Sequence, residues 1–357
     1  MNRKLALTLT VALVAAFPLA AADSAAAATT LIVDQNDAGC SAVASPFCTI
    51  QQGVDAAAPG DTVQVQPGTY TEQVTVGPGK NQVKLQANGA VTIAAPDPMV
   101  APGAIVRVTA SRPVQIKGFT ISGPGPDACG PLTAGVRVDG GGKAFVVHDH
   151  ITGIRGEPLG GCQTGWGVLV GRNSVAQGDV TVGEAVIKNT LIDDYQKGGI
   201  LVDNAGSHAW VGEGTTITGT ETPIIAQNGI QVARDADAEI RNTTVQDNRY
   251  TGVQATSGAG ILLFPNPANV YLRNDLTDSN DVNVWLFNAS GTKIFRVTST
   301  DAVENGFAVG GTSSGTLIKY STATGSGMWD MLDDSTGGGN TYRFNTCGSA
   351  SPASMCT

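Results

Sequence analysis

Beyond residue 60 the chain has no long stretch with helical hydrophobic periodicity, which sets aside helical bundles and layered helix–sheet folds. It has no phosphate-binding loop, dinucleotide fingerprint or nucleophile elbow in a strand-to-helix setting, so its many glycines serve turns. None of its six cysteines forms a Cys-x-x-Cys pair, which argues against a zinc site. Basic charge is scarce as well: 21 Lys and Arg face 30 Asp and Glu, a formal net charge of -9. Such a surface opposes nonspecific binding to nucleic acid or to an anionic membrane. Only one long apolar run exists, Leu5 to Leu19. It follows Arg3 and Lys4 and precedes small residues, so residues 1–28 read as a secretory signal peptide, with Ala22 and Ala28 both open as its end. The run is short for a membrane span, and the mature protein is expected to be secreted and extracellular.

What the chain does have is repetition. A glycine followed by a hydrophobic strand recurs at Gly135, Gly167, Gly199, Gly229 and Gly260, at intervals of 30 to 32 residues. The residues after each glycine alternate inward and outward, as in Gly167-Val168-Leu169-Val170. A second ladder interleaves with the first, at Val114–Gly118, Phe145–Asp149, Ala185–Asn189, Trp210–Gly214, Ala238–Asn242 and Val270–Asn274. Each unit reads as two inward residues, its first and third, such as Phe145 and Val147 or Trp210 and Gly212, and two outward ones, closed by Asn, Asp or Gly to turn a corner. A third short apolar stretch follows, around Ile121, Ile192, Ile217 and Val245. Three strands per turn of about thirty residues make an all-β, single-stranded parallel β-helix, each coil rising about 4.8 Å. The crossover rule for parallel strands makes it right-handed. One β-helix domain is expected over residues 29–300. Residues 301–357, where the period fades, are expected to pack on that helix or finish it.

Two outward columns stand out. The residues before the corners, Lys117, His148, Lys188, Glu213, Arg241 and Arg273, are mostly basic in an acidic protein. The outward middle residues of the glycine ladder include Leu169, Leu201 and Leu262, an apolar strip for which the segment Phe307 to Cys356 is the expected cover. The cysteines fall in three neighbourhoods, Cys40 and Cys48, Cys129 and Cys162, Cys347 and Cys356. Disulfides between neighbours are expected in an exported chain.

The segment from Cys48 to Glu72 resembles the N-terminal turn of pectin-lyase-like right-handed β-helices, in which a short amphipathic helix caps the first coil. Here Ile50, Val54 and Ala57 share one helical face, and Pro59-Gly60-Asp61 ends it. Within it, Gly68-x-Tyr70-x-Glu72 is similar to a string of pectin methylesterases, but that family's Gln-Asp-Thr and Asp-Phe-x-x-Gly strings are missing. Asp193-Asp194 is similar to the paired aspartates of polygalacturonases, but the companion Asn-Thr-Asp, His-Gly and Arg-Ile-Lys strings are missing. The stretches from Asp194 to Ile200, Pro223 to Gln231 and Asn345 to Cys356 resemble secreted bacterial right-handed β-helix repeat proteins. That resemblance implies the fold and supplies no assigned chemistry.

The turns that lead into the glycine ladder carry the best candidate site. They hold Arg155 and Glu157, then Asp193, Asp194, Tyr195, Gln196 and Lys197, then Glu221, Gln227 and Asn228, then Asp247, Asn248, Arg249 and Tyr250. Stacked in a coil, they suit a sugar groove. For β-elimination on a uronate polymer, Lys197 serves as base with Arg249 lowering its pKa, and Asp194 joins the catalytic set. Tyr195, Gln196, Glu221, Gln227, Asn228 and Tyr250 serve as substrate contacts. Asp193 and Asp247 are hard-oxygen candidates for Ca²⁺. Glycoside hydrolysis by Asp194 with Glu221 or Asp247 is the less favoured chemistry. The expected partner is an extracellular polysaccharide met by a monomer. A non-catalytic cell-surface or structural β-helix is the competing reading.

Overall fold

The computed structural model describes residues 27–356, so the signal-peptide expectation falls almost wholly outside the described residues. Thirty-four strands form three parallel sheets of 12, 11 and 11 strands, each strand paired with its counterparts in the coils before and after. Sheet A starts at Thr30–Val33, sheet B at Gly68–Thr71 and sheet C, which carries the glycine ladder, at Val74–Val76. The chain visits A, B and C in turn and climbs one coil, so the protein is a parallel β-helix. Among the described residues no helix is long and apolar enough to cross a membrane.

The core is a column of aliphatic side chains, one layer per coil. Ile116, Ile187, Val211, Ile240 and Leu272 fill it from sheet A, and Ile121, Ile151, Ile192, Ile217 and Val245 from sheet B; all are fully buried. In two coils the inward residues differ from those expected. Ala144 and Val146 point in, not Phe145 and Val147, and Ala209 and Val211 point in, not Trp210 and Gly212. Alanine is small enough to fit the layer, and the aromatic beside it spreads over the outer face.

The cap helix spans Ile50–Ala56. Thr49 and Gln52 form a reciprocal capping box at its start. The carboxylate of Glu72 accepts hydrogen bonds from the backbone N–H groups of Ile50 at 2.8 Å and Gln51 at 2.9 Å. It thereby meets the positive end of the helix. Tyr70 is buried and donates to the carbonyl of Gln66 at 3.1 Å. The Gly68-x-Tyr70-x-Glu72 string thus fastens the cap to the first coil.

Glycine is required at the entry to sheet C by close approach. A Cβ on Gly199 would lie 2.7 Å from the carbonyl oxygen of Gly229, and one on Gly167 would lie 2.7 Å from that of Gly199. The corner between sheets A and B is instead a column of left-handed residues, among them Asn189, Asn242 and Asn274. Just after it, Asp149 and Asp275 are buried and accept N–H bonds from the coil before, from Phe119 and Thr243.

Residues 301–351 continue the coil and supply the last strands of all three sheets. The repeat was lost to sequence because it shortens: Ile261 pairs with Val284, Val284 with Phe307 and Phe307 with Met331, steps of about 23 or 24 residues. The C-terminal segment therefore does not fold back over the leucine strip. Phe307 fills the core, and Leu332 extends the outward column itself. Leu169 and Leu201 are nonetheless buried, in a second apolar cluster with Trp166 on the outer face of sheet C. The hairpin Arg172–Ser174 with Asp179–Thr181 stands beside them, tied down by Asp179 to Arg137 at 2.5 Å. The cysteines pair as neighbours: Cys40 with Cys48, Cys129 with Cys162 and Cys347 with Cys356.

Two measurements check this account. Gly199→Ala is expected to lose about 1–3 kcal/mol in chemical denaturation, since both the core side chain of Ile217 and the backbone carbonyl of Gly229 must move. Burial pushes the carboxyls of Asp149 and Asp275 up to about 8, so both are neutral in the fold at neutral pH. Their stabilising share is complete below the ordinary carboxyl range and is lost as pH rises through about 8. Both oxygens of each carboxyl accept backbone N–H bonds, Asp149 from Phe119 and Val147 and Asp275 from Thr243 and Arg273, and an amide can accept only one of each pair. The double variant Asp149→Asn, Asp275→Asn should therefore lower Tm at pH 4 and lower it less at pH 9, where the native carboxyls must ionise. An equal change at both pH values would refute neutral carboxyls.

Candidate functional site

The turns from sheet B to sheet C stack as expected, but the fold divides their residues into three groups. The first is turned inward. Tyr195 is fully buried, and its hydroxyl donates to Asn248 Oδ1 at 2.6 Å. Asn248 and Asn280 continue the line, the side-chain amide of Asn248 donating to Asn280 Oδ1 at 2.9 Å and that of Asn280 to Asn283 Oδ1 at 2.8 Å. Burial raises the Tyr195 phenol far above its ordinary range. Gln196 accepts from the N–H groups of Gly156 and Gly160 and donates to the carbonyl of Cys162. Gln227 accepts from Thr220 N–H and donates to the carbonyl of Tyr195 at 2.6 Å. Tyr195, Gln196 and Gln227 therefore brace the corner and face no groove, contrary to their assignment as substrate contacts.

The second group forms ion pairs on the outer rim. Asp194 pairs with Arg155 at 2.9 Å, and Arg155 also holds Glu157. Asp193 lies 2.9 Å from His150 Nε2, and Glu221 lies 3.5 Å from Arg249. Asp247 is raised, first by burial and then by the neighbouring charge of Asp278. Asp193 pairs in register with Thr218, and Thr218 with Gln246, so Asp193 and Asp247 are two coils apart. They do not fit a shared Ca²⁺, and among the described residues no group of three His, Cys, Asp or Glu could hold a metal ion. Tyr250 is half-buried, its backbone N–H held by Asp281 at 2.8 Å.

The third group opens onto a cavity of about 300 Å³ on the outer face of sheet C. Lys197 and Asn228 stand on one side with Ser257 and Thr256, and Leu262, Phe264, Trp285 and Phe287 on the other. The rings meet edge-on, Phe264 to Phe287 at 5.6 Å and Trp285 to Phe287 at 6.3 Å between centroids. Lys197 Nζ donates to the carbonyl of Ala226 at 2.6 Å. Burial alone drives its pKa down to about 8, and Arg249 is not a cause. The lowered pKa agrees with the role first assigned, and the mechanism differs. Lys197 makes no ion pair with any carboxylate of the described residues.

Sequence reading missed the aromatic wall. Leu262 pairs with Trp285 in the outward column, but Asn283 stands where the ladder glycine would be, so the next coil was not aligned. A larger cavity of about 450 Å³ lies on the same sheet nearer the N-terminus, beside Arg137, Trp166 and Asp179. Asp139 and Asp179 are both bound to arginine there, which leaves no free base.

A family profile described as "Right handed beta helix region" matches residues 166–346, just over half of the chain. No curated protein sequence matches. Among solved structures, pectate lyase Pel9A superposes with a TM-score of 0.58 at 14% identity, over 90% of this chain and 78% of that one. XylC in complex with xylose gives 0.56 at 11% identity, over 86% and 69%. ORF18 of Geobacillus virus E2 gives 0.51 at 12% identity, over 90% and 62%. At these identities the likeness is one of fold.

The inward role of Tyr195 is open to test. Tyr195→Phe leaves Asn248 Oδ1 without its buried donor and should destabilise the protein by about 1–3 kcal/mol. Equilibrium denaturation reads this, and unchanged stability would return Tyr195 to the surface.

Proposed function

The chain belongs to the right-handed β-helix family, and on that footing we propose that it binds an extracellular acidic polysaccharide and cleaves it by β-elimination, with Lys197 as the base. One observation carries the reading: a desolvated amine with a pKa of about 8 and no counter-ion sits at a cavity walled by Trp285, Phe264 and Phe287. Aromatic faces suit the apolar side of a sugar ring. A base poised near the working pH suits proton abstraction. Neutral Lys197 takes the proton on the carbon beside the uronate carboxylate. That electron pair forms the ring double bond, the glycosidic C–O bond breaks, and the departing oxygen takes a proton from water. Asn228 and Ser257 line the cavity, their side chains donating to Gln231 and Glu304, and their remaining acceptor oxygens are the hydrogen-bond partners assigned to the sugar. Arg249 and Asp194 are engaged on the rim and take no part. The name of one structural neighbour, pectate lyase Pel9A, supports the substrate class. Three disulfides support an extracellular setting.

The bond from Lys197 to the carbonyl of Ala226 favours a second reading, in which the lysine holds that loop and the cavity binds sugar without cleaving it. Absorbance of the unsaturated product separates the two. With polygalacturonate or alginate, kcat/KM is expected to rise with pH and level off above about 8, as the amine loses its proton. Lys197→Ala is expected to lose about 10²–10⁴-fold in kcat. A wild type that binds these polymers but yields no unsaturated product would establish the second reading.

A further inference from the structure

The last four coils segregate charge. After Arg249 the chain holds five cations and eight carboxylates. All five cations, Arg273, Lys293, Arg296, Lys319 and Arg343, lie on sheet A or on its corner with sheet B. No carboxylate lies on those strands. The one that follows the corner, Asp275, is buried, with its two oxygens taken by the backbone N–H groups of Thr243 and Arg273. Upstream the same face is neutralised, Lys188 by Glu213 and Arg241 by Glu239. Among the described residues none of the five has a carboxylate within salt-bridge range.

Register places these side chains in columns. Arg273 pairs with Phe295, Phe295 with Lys319 and Lys319 with Arg343, while Leu272, Ile294 and Ile318 beside them point into the core. Each coil adds an aromatic ring: Tyr271, Phe295, Tyr320 and Phe344. Tyr271 and Phe295 lie 5.6 Å apart between centroids, and Tyr320 and Phe344 stack at 5.3 Å. Lys319 lies over both of the latter rings, and a hollow of about 300 Å³ opens beside Lys319 and Arg343.

Backbone conformation is a second observation. The corner that Asn189, Asn242 and Asn274 occupy upstream passes to Arg296, Tyr320 and Phe344, each with φ between 52° and 57°. Left-handed backbone suits Asn and strains a bulky side chain. Tyr320 and Phe344 do not enter the core in exchange: they stay 46% and 59% exposed, covered in part by each other and by Lys319. Core packing therefore does not explain them.

We propose that sheet A of the last four coils binds an acidic polysaccharide laid along the helix axis, its anionic groups on the cation column and its sugar rings on the aromatics. A cation or ring recurs with each coil, about every 4.8 Å, so a polymer following the axis meets the same contacts repeatedly. The surface takes its ligand class from the proposed function but lies on a different sheet from Lys197, and it would hold a long chain while another stretch is processed or retained.

Binding is measured by affinity electrophoresis in gels containing polygalacturonate or alginate, at low salt and across a salt series, with Lys197→Ala present throughout so that no polymer is cleaved. Adding Arg273→Glu, Lys319→Glu and Arg343→Glu should weaken retention about a hundred-fold, and salt should weaken the parent as charges are screened. Adding Tyr320→Asn and Phe344→Asn instead should weaken it about ten-fold while leaving Tm equal or higher, because the corner regains its ordinary residue. A merely structural role for the rings predicts a lower Tm and unchanged retention. Undiminished retention in the charge-reversed protein overturns the proposal, as does no retention by the parent in either polymer. Preferential binding of oligodeoxythymidylate, not displaced by either polysaccharide, would show a nucleic-acid platform and overturn the ligand class. Neither result bears on whether an unsaturated product forms, which is read separately.

Discussion

Where the chain enters sheet C, successive coils approach until the carbonyl of one glycine stands where the Cβ of the previous one would be. That approach sets the pitch of the stack on one side. The left-handed Asn corner between sheets A and B sets it on the other. Between these two columns each coil is pinned to its neighbour, and a position in one coil has a fixed counterpart in the next. Core layers, polar braces and surface columns all inherit that repeat. The cap helix and Glu72 close the first coil, so its strand edges do not stay open.

The sequence made the fold legible because these constraints are steric and local. A glycine that must be a glycine recurs whatever surrounds it. Reading failed where residue type is ambiguous. Ala144 and Ala209 fill core layers, but the larger Phe145 and Trp210 beside them look more like core. It failed again where Asn283 replaces the glycine, because its amide finds Ser299 and Thr300 inside the coil. The candidate site was half legible for a related reason. Polar residues in turns read as surface, yet tight stacking leaves buried backbone groups that need partners. Tyr195, Gln196 and Gln227 supply those partners. Only Lys197 and Asn228 remained at an opening, and two of the three rings facing them, Trp285 and Phe287, lay in a coil whose shorter repeat had not been aligned.

The same stacking bears on electrostatics. In a solenoid, a charge repeated in register meets a like charge about 4.8 Å away, and repulsion is relieved only by a counter-ion, a shift in protonation or a spacer. The protein uses two of these remedies in different places. Glu213 and Glu239 neutralise Lys188 and Arg241. In the last coils Phe295 separates Arg273 from Lys319 in the column, while Tyr320 and Phe344 present ring faces to Lys319. Rings reduce the repulsion without cancelling the charge, so the face stays cationic in a protein of net charge -9. A glutamate at any of these positions would have removed the repulsion more completely, as it does upstream. Its absence from every strand of that face is what separates a surface kept open for an anion from one merely made soluble.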